Sequence, residues 1–542
     1  MRKIVLLLIG ILVTGNLIYA GGLVTNTNQS TAWTRMMARN ASIDIDAVFY
    51  NPAGLVKLEN GFHISLSSQT IVQTQTIINT FPFLNNSTYT GDIFAPVFPS
   101  VYMAWKKDRW AFSLGFSPIG GGGGATFEKG IPSMEIPIAA AAAGMAPLGV
   151  TGYSADMYFE GSSIYWGLQL GASFAITKNI SVFAGARYVM ATNTYKGHLK
   201  DITFQTAGGA VRADAFMLGV ADQATAGAAQ ATGAADLMQP LLDFGLGGAT
   251  TQQAIAAGAL TPEQGAMLLG GLVQFGLTPA EANSLTLEQS QAYFYGASAE
   301  LTGQAAYLTG GAALMADQEA DVTQKGSGIT PMLGANLSFN EDKINIGIKY
   351  EFMTKMDLTN ETAKDFTTGI DPTTGLPITM FPDGAITNAD IPAMLGIGIG
   401  WNFVEPVTLQ LAYTGYFDKS TGWATNEAGV ETIDENFGEY AIGLEWAISP
   451  KFVVSGGYLF ARTGVNENYQ SDLGFSLSTN TFGYGFAWAI NDMFKLQAGG
   501  YFTAYQDMTY GRNYSGINYN ESFDKYTYGL SVGLDIALGG KK

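Results

Sequence analysis

The sequence predicts an all-β membrane protein, a closed antiparallel barrel of fourteen strands. Three observations support this prediction. Apolar and polar residues alternate with a period of two over most of the chain, the alternating segments number fourteen, and the connections between them are alternately short and long. A closed antiparallel barrel with both ends on one side needs an even number of strands, with short turns at one rim and long loops at the other.

The alternation places large apolar residues on one face and small or polar residues on the other. In residues 344–352 the even positions are Ile, Tyr or Phe, and the odd positions are Asn, Gly, Lys and Glu. Residues 395–401 and 526–536 repeat this scheme. A soluble sandwich usually exposes Lys, Glu and Thr on its polar face, rather than Gly and Ala. Large apolar residues outside and small ones inside are what a lipid-facing barrel requires.

We place the predicted strands by this alternation and by the turn residues between them. They are 61–77, 97–107, 109–118, 157–177, 180–203, 322–340, 342–359, 388–404, 406–419, 435–449, 451–466, 471–490, 492–508 and 523–540. Six connections, such as "WKKDRW" and "ITKNI", are tight, and those between them are long. This predicts short periplasmic turns and long external loops.

The N-terminus predicts export. Arg2 and Lys3 precede an apolar run over 4–13, and residues 18–20 form a plausible cleavage site, so residues 1–20 are predicted to be a signal peptide. The run is short of the ~20 residues of a membrane anchor. The 542-residue chain has no Cys, so its stability must come without disulfides. Its net charge of −18 argues against nucleic acid as a partner.

One external connection, residues 205–324, is a helical, Ala/Gly-rich insertion. Thr261, Thr278 and Thr286 each stand three residues before Glu or Gln, which is the pattern of a helix N-cap with a capping box. The apolar faces of these helices must pack against one another or against an apolar partner. The insertion is therefore either a self-packed external cap or a surface that first catches an apolar solute.

No catalytic or cofactor site is predicted, and we expect that the protein is not an enzyme. It has no cysteine and only two histidines, His63 and His198, which excludes His/Cys metal clusters and Cys nucleophiles. Composition leaves a Ser-His-acid site open, but neither histidine has a nucleophile signature nearby. The glycine run 120–124 lacks the Lys-Ser/Thr pair and the helix of a phosphate loop.

The width of a fourteen-stranded barrel predicts an internal plug. Eight strands fill a barrel with side chains and 16 to 18 leave a water channel, so about fourteen leave a lumen that must be closed. Residues 21–60 lack strand alternation and precede the first strand, so we predict that they form a hatch inside the lumen, with residues 61–542 forming the barrel. Asn51-Pro52 favours a turn that holds the hatch against the wall, or else a simple lead-in turn to the first strand.

These residues also resemble a known family. The start "GGLVTNTNQSTAW", the run "ARNASIDIDAVFYNPAGLVKL", the fourteen segments and the long loop between the fifth and sixth look like the FadL family of outer-membrane transporters for long-chain fatty acids and other hydrophobic compounds. The resemblance implies the outer membrane of a Gram-negative bacterium. It also implies a hatch whose motif corresponds to Asn51, Pro52, Ala53 and Gly54, with solutes binding first near the external loops, then in an apolar pocket, and leaving sideways at the third strand. The chain departs from the family at its last strand, which ends in "IALGGKK", and in the size of its helical loop.

A fatty-acid pocket should contain a cation, because burying a carboxylate without one costs several kcal/mol. By parity Arg187 and Lys349 face inward, and they are the candidate ligand-binding cations. The alternative is a salt bridge in the lumen, for example with Glu351 or Glu445. If both cations are paired, a neutral hydrocarbon becomes the favoured solute.

The third strand carries the candidate lateral opening. Gly115, Pro118, Gly120, Gly121 and Gly122 fall in "LGFSPIGGGGG", where Pro removes a ladder donor and glycines weaken pairing. Pairing should fail beyond about Ser117, and the chain should turn inward and leave a side window. The alternative is that residues 118–124 already belong to the external loop.

The sequence therefore favours an outer-membrane barrel that passes a hydrophobic small molecule, a fatty acid or a hydrocarbon. We expect a monomer in contact with outer-membrane lipid, with no cofactor, metal or nucleic acid. Two other functions stay open. A general porin for polar solutes would need an open, charged lumen, and a structural or adhesive barrel would use the helical loop to bind a partner.

Overall fold

The computed structural model describes residues 23–371, 377–426 and 428–539. The predicted signal peptide, residues 1–20, lies outside the described residues. Among the described residues, no helix combines the length and the apolar character needed to cross a membrane.

Fourteen long antiparallel strands form one closed barrel, in which β14 pairs with β1. Each strand pairs with its neighbours along the chain. The strands are β1 Gly61–Asn79, β2 Thr88–Lys107, β3 Trp110–Phe127, β4 Val150–Ala175, β5 Ile180–Thr206, β6 Gln318–Phe339, β7 Ile344–Glu351, β8 Met394–Val404, β9 Val407–Tyr416, β10 Gly438–Ser449, β11 Phe452–Arg462, β12 Thr479–Ala489, β13 Phe494–Tyr505 and β14 Ile517–Leu538. The predicted number, order and antiparallel pairing of the strands are confirmed.

Several boundaries differ from those predicted. β2 begins at Thr88 and β4 at Val150, earlier than predicted, because both strands extend beyond their periodic cores toward the external loops. The predicted strand 471–490 is shorter in the structure, where it begins at Thr479, and its first part contains Leu473, Phe475 and Leu477. In the structure these side chains are all buried inside the barrel, and the segment folds as a loop.

The outer surface carries an aromatic girdle at the short-turn end. Five tryptophans there are exposed and close to strand ends: Trp105, Trp110, Trp401, Trp446 and Trp488. Exposed aliphatic and aromatic residues cover the outer face between the rims, as expected where lipid is the solvent. Tyr165, in the middle of β4, is buried and faces the lumen, so it does not belong to the girdle.

Residues 23–58 lie inside the barrel at the short-turn end and form the hatch. The hatch contains two short helices, α1 Thr31–Met36 and α2 Ala47–Tyr50, followed by a 3₁₀ helix, Pro52–Lys57. Every residue of α1 and α2 is buried. Ser30 caps α1 by accepting a hydrogen bond from the backbone N–H of Trp33 at 3.0 Å.

Inward-facing glycines explain how the hatch main chain fits against the wall. A Cβ atom on Gly457 of β11 would overlap the carbonyl oxygen of Met36, and one on Gly347 of β7 would overlap that of Asn40. The small inner face detected in the sequence is therefore, in large part, the surface on which the hatch rests.

The external end carries the remaining helices. Helix α3, Pro132–Gly144, follows β3, and six helices lie between β5 and β6. These are α4 Ala213–Asp236, α5 Gln239–Asp243, α6 Thr251–Ala256, α7 Pro262–Gln274, α8 Pro279–Ser284 and α9 Leu287–Leu314. Short strands at 209–212, 357–364, 386–388 and 508–514 extend the wall, and 367–370 pairs with 377–379. Two more 3₁₀ helices span Ala146–Leu148 and Asp418–Ser420.

The three predicted capping boxes at Thr261, Thr278 and Thr286 are confirmed. A fourth, at Thr250 with Gln253, has the same sequence pattern and was missed. The apolar residues of this region pack mainly against one another, with Leu268, Leu272 and Phe294 at the centre. The insertion thus has a small core of its own, as the self-packed alternative expects.

Candidate functional site

The Asn51–Gly54 motif ties the end of the hatch to three neighbouring strands. Asn51 donates from Nδ2 to Oδ1 of Asn336 on β6 at 2.7 Å and to the carbonyl of Ser42 within the hatch at 3.0 Å. The backbone carbonyl of Pro52 accepts from Ser173 on β4 at 2.6 Å, and that of Ala53 accepts from Ser181 on β5 at 2.7 Å. The turn therefore presents its carbonyls to serines of the wall, and it does more than lead into β1.

Gly54 completes this turn for steric reasons. A Cβ atom at this position would lie 2.6 Å from the Asn51 side chain and 2.6 Å from the carbonyl oxygen of Ser42. The amide of Asn51 can reach both of its acceptors only because residue 54 has no side chain.

Arg187 and Lys349 both face the lumen, and both are paired. Arg187 binds Glu351 through two hydrogen bonds, at 2.6 and 3.0 Å, and Lys349 Nζ lies 2.7 Å from the same carboxylate. Both cations also lie over the ring of Phe49 in the hatch, at 5.1 and 4.5 Å from its centroid. All three charged side chains are buried. The two cations therefore form a salt bridge with Glu351 in the lumen, which was the alternative to binding a solute carboxylate.

The ladder between β2 and β3 is interrupted. Pairing runs from Lys107↔Trp110 to Val101↔Phe116, stops, and resumes at Ile93↔Ala125. On its other side β3 stays paired with β4 as far as Phe127, through two register shifts. The prediction that pairing fails beyond Ser117 is thus wrong for β4, and the alternative that 118–124 form an external loop is wrong as well. Pairing is lost toward β2 alone, where Pro96 and Pro99 lack the N–H that a ladder needs.

The start of the hatch bonds to the part of β3 that β2 leaves unpaired. Asn26 donates its backbone N–H to the carbonyl of Ile119 at 2.7 Å and its side chain to that of Gly121 at 2.5 Å. Gln29 Nε2 donates to the carbonyl of Pro118 at 2.9 Å. These bonds satisfy backbone groups that could not otherwise be tolerated within a membrane.

The glycines of this stretch permit that approach. A Cβ atom on Gly120 would overlap the carbonyl oxygen of Val24, and one on Gly115 would lie 3.1 Å from Cγ1 of Val48. Gly121 adopts a positive φ of 79°. Gly115, Gly120 and Gly121 therefore have a steric or conformational reason to lack a side chain, whereas the surroundings of Gly122, the remaining candidate, lie outside what the structure describes.

A large cavity lies at the external end. Its volume is about 760 Å³, and loops from several parts of the chain line it. Its apolar lining includes Met134, Ile136, Leu314, Phe366, Trp423 and Tyr469. Asp472 also lines it and accepts the backbone N–H of Ser133 at 2.6 Å, and burial raises the pKa of this carboxyl above its usual value. The cavity can hold an apolar molecule of moderate size.

An apolar cluster, the inner cluster, joins this cavity to the barrel interior. Leu473 belongs to both the cavity wall and the inner cluster, which also contains Phe475, Phe523 and inward residues of β1 to β6. Lys525 lies beside it on β14 and was missed as an inward cation. It shares the parity of Thr527 and Asp535, so the alternation of β14 contained the necessary signal.

No protein-family model matches the chain, and no curated protein matches it. A crystal structure of a Pseudomonas aeruginosa FadL homologue is similar, with a TM-score of 0.57 and 12% identity, covering 97% of this chain and 100% of that one. The Pseudomonas putida toluene transporter TodX has a TM-score of 0.48 at 12% identity, covering 92% and 95% of the two chains. The Ralstonia pickettii toluene transporter TbuX has a TM-score of 0.48 at 14% identity, covering 94% and 98%.

This chain has the FadL-type barrel fold. The family resemblance carried by residues 21–33 and 38–58 is confirmed at the level of fold, through the solved FadL homologue. The aromatic girdle and the apolar exterior of this chain are those that an outer-membrane barrel requires.

Proposed function

We propose that this chain carries hydrophobic solutes, long-chain fatty acids or related apolar compounds, across the outer membrane. The solute would enter the external cavity, pass the inner cluster, and leave sideways through the interruption between β2 and β3. The observation that carries this proposal is the combination of an external cavity lined by both apolar and polar side chains with a lumen closed by the hatch.

The cavity supports entry of an apolar solute. A chain of methylenes gains up to about 0.8 kcal/mol for each group removed from water, so the apolar side chains of the cavity lining can hold one. Leu473 connects the cavity wall to the inner cluster, which gives the solute an apolar path inward.

The hatch argues against a general porin. Its two helices are wholly buried against the wall, whereas a porin keeps a polar, water-filled channel. Steady conductance in a planar bilayer separates these functions. We expect little conductance from the purified chain, and a large steady current would favour the porin.

The interrupted ladder supports lateral exit. Phe94 and Val97 of β2 lie beside the interruption and are 66% and 65% exposed on the outer face. An apolar solute that left there would enter lipid without being hydrated again.

Single-cysteine labelling tests this exit, since the chain has no cysteine of its own. Val97→Cys, labelled with a bulky maleimide in detergent and then reconstituted, should take up an apolar fluorescent probe much more slowly than the unlabelled variant. Ile442→Cys, an exposed position on β10 across the barrel, is the matched control and should be unaffected by label. Equal uptake by labelled and unlabelled Val97→Cys would exclude exit at this place.

The adhesive alternative makes a different prediction. Removal of residues 213–314, which contain α4 to α9, should reduce uptake if the insertion helps to form the entrance, because Leu314 lines the cavity. Unchanged uptake would favour a role of the insertion in binding a partner.

A further inference from the structure

Lys525 is a buried cation that pairs with no carboxylate of the described residues. Lys525 is 4% exposed to solvent and lies on the inner face of β14. Its ammonium lies 4.5 Å from the centroid of the Phe475 ring and 5.6 Å from that of Tyr505. Within the described part of the chain it forms no ion pair and no side-chain hydrogen bond. The two rings offset only part of the cost of taking an ammonium out of water.

Lys525 differs in this respect from other inward cations of the barrel. Arg187 and Lys349 share Glu351, and Lys495 lies 3.1 Å from Asp535. Each of those cations already contacts a wall carboxylate, whereas Lys525 contacts none among the described residues.

A second donor without an acceptor lies on the adjoining strand. Gln73 of β1 is 5% exposed, and its Nε2 has no hydrogen-bond partner. Its Oε1 accepts from Thr527 at 3.0 Å, and Thr527 is the residue directly opposite it. Lys525 is two residues from Thr527 on the same face, about 7 Å along the strand. Two buried donors that lack acceptors suit a ligand that brings anionic oxygens.

The surroundings supply the apolar part of such a ligand. Phe475 packs on Phe523 with ring centroids 4.7 Å apart, and both belong to the inner cluster. Asp472, Leu473 and Gly474, just before Phe475, line the external cavity. The segment that ends at Phe475 therefore contacts the cavity at residues 472–474 and Lys525 at the Phe475 ring.

We propose that Lys525 binds the carboxylate of an amphiphilic solute whose alkyl chain lies along the inner cluster. This inference rests on the proposed function and narrows its solute to a long-chain carboxylate. Charge–charge attraction and a charge-assisted hydrogen bond would then favour the acid over a neutral molecule of the same length.

Binding of two matched probes tests the proposal. The probes are hexadecanoate and its methyl ester, which has the same chain but no charge, measured at equilibrium on the purified full chain in a non-ionic detergent. We expect the wild-type protein to bind the acid at least about tenfold more tightly than the ester. Lys525→Met should reduce this preference to within about twofold and leave ester binding unchanged, whereas Lys525→Arg should keep most of the preference.

The control is Lys325→Met, at an exposed lysine of β6 that pairs with Glu361 at 2.7 Å. It removes one positive charge outside the lumen and should leave the preference unchanged. A tenfold preference that persists in Lys525→Met would overturn the assignment of this residue.

Stability gives a second measurement. An unpaired buried charge is a cost to the folded state, so Lys525→Met should unfold at a higher temperature than the wild type. If the ammonium instead stabilises the fold through its contacts with the two rings, Lys525→Met should unfold at a lower temperature than the wild type. That result would count against the proposal. If the wild type binds both probes equally and transports both, this inference fails while the proposed function stands. If it neither binds nor transports either probe, the proposed function fails.

Discussion

At the hatch end of the barrel, main-chain atoms of residues 23–58 lie directly against wall glycines, and their polar groups bond to wall side chains. At the external end, the interior is filled by apolar side chains that come from loops and strands together. The first kind of packing depends on hydrogen bonds with definite directions and on the absence of Cβ atoms. The second depends on apolar area, which is non-directional. The hatch end should therefore tolerate little change, and the external end can rearrange to admit a solute.

The largest effect is expected where the hatch main chain meets a glycine. Gly457→Val would place side-chain atoms where the carbonyl of Met36 lies, so the hatch could not pack against the wall. The free energy of unfolding of the barrel should then fall by several kcal/mol, or the barrel should conduct ions steadily. Urea unfolding in detergent and planar-bilayer conductance measure these outcomes.

Gly456→Val is the matched control, one residue away on β11. A Cβ atom there lies 3.6 Å from its nearest neighbour, the carbonyl oxygen of Gly483, which is an ordinary contact. Equal behaviour of the two variants would contradict the view that glycines define the seat of the hatch.

The next effect concerns the paired cations. Glu351→Gln would leave Arg187 and Lys349 buried with no carboxylate between them, and breaking a buried pair costs about 3–5 kcal/mol. Glu361→Gln removes the partner of Lys325 at the exposed surface, where a pair contributes about 0–1 kcal/mol. Similar unfolding curves for the two variants would mean that the buried cluster contributes little to stability.

A smaller effect is expected at the hatch motif. Asn51→Ala combined with Pro52→Ala removes the bonds to Asn336 and Ser42, at a cost of about 1–3 kcal/mol, and should alter solute uptake in an assembled barrel. Asn402→Ala, which removes a side-chain hydrogen bond at the exposed short-turn end of β8, is the control. Normal uptake by a folded double variant would leave the motif a structural turn only.

The smallest effect belongs to the external end and depends on pH. Burial raises the pKa of Asp418 to about 6, above the usual ~3.9 of an unfolded chain. The folded state therefore binds the proton more tightly, and this residue's contribution to stability should increase by about 1 kcal/mol as the pH falls from about 7.5 to about 5.5.

Asp418→Asn isolates that contribution. The amide can still accept the backbone N–H of Phe437, which Asp418 accepts at 3.0 Å, but it does not titrate. The difference in thermal unfolding midpoint between wild type and variant should change over this pH range, and a constant difference would contradict the shifted pKa.

Much of the fold could be predicted because a barrel wall separates two solvents. Each strand must alternate between lipid and lumen, so residues 344–352 and 526–536 carry their orientation in their own pattern. The capping boxes at Thr261, Thr278 and Thr286 are equally local, since the bonding groups are three residues apart.

The candidate site was harder to predict because its contacts join distant segments. Lys349 and Glu351 share a face of one strand, so their pairing could be anticipated, but the approach of Phe49 from the hatch could not. The loss of pairing beside β3 involves Pro96 and Pro99 of β2, which lay outside or at the edge of the predicted second strand.

By itself the sequence determined the number of strands, their order, their inner and outer faces and the helix N-termini, since each depends on neighbours within a few residues. Tertiary structure alone decided which glycines meet the hatch, which edge of β3 stays open, and which cation keeps no partner. Lys525 has no partner within the described ranges because strands and loops far apart in the chain surround it with rings, and none of those segments brings a carboxylate to it. A local pattern reports the direction of a side chain, whereas its charge balance depends on everything that the closed barrel brings around it.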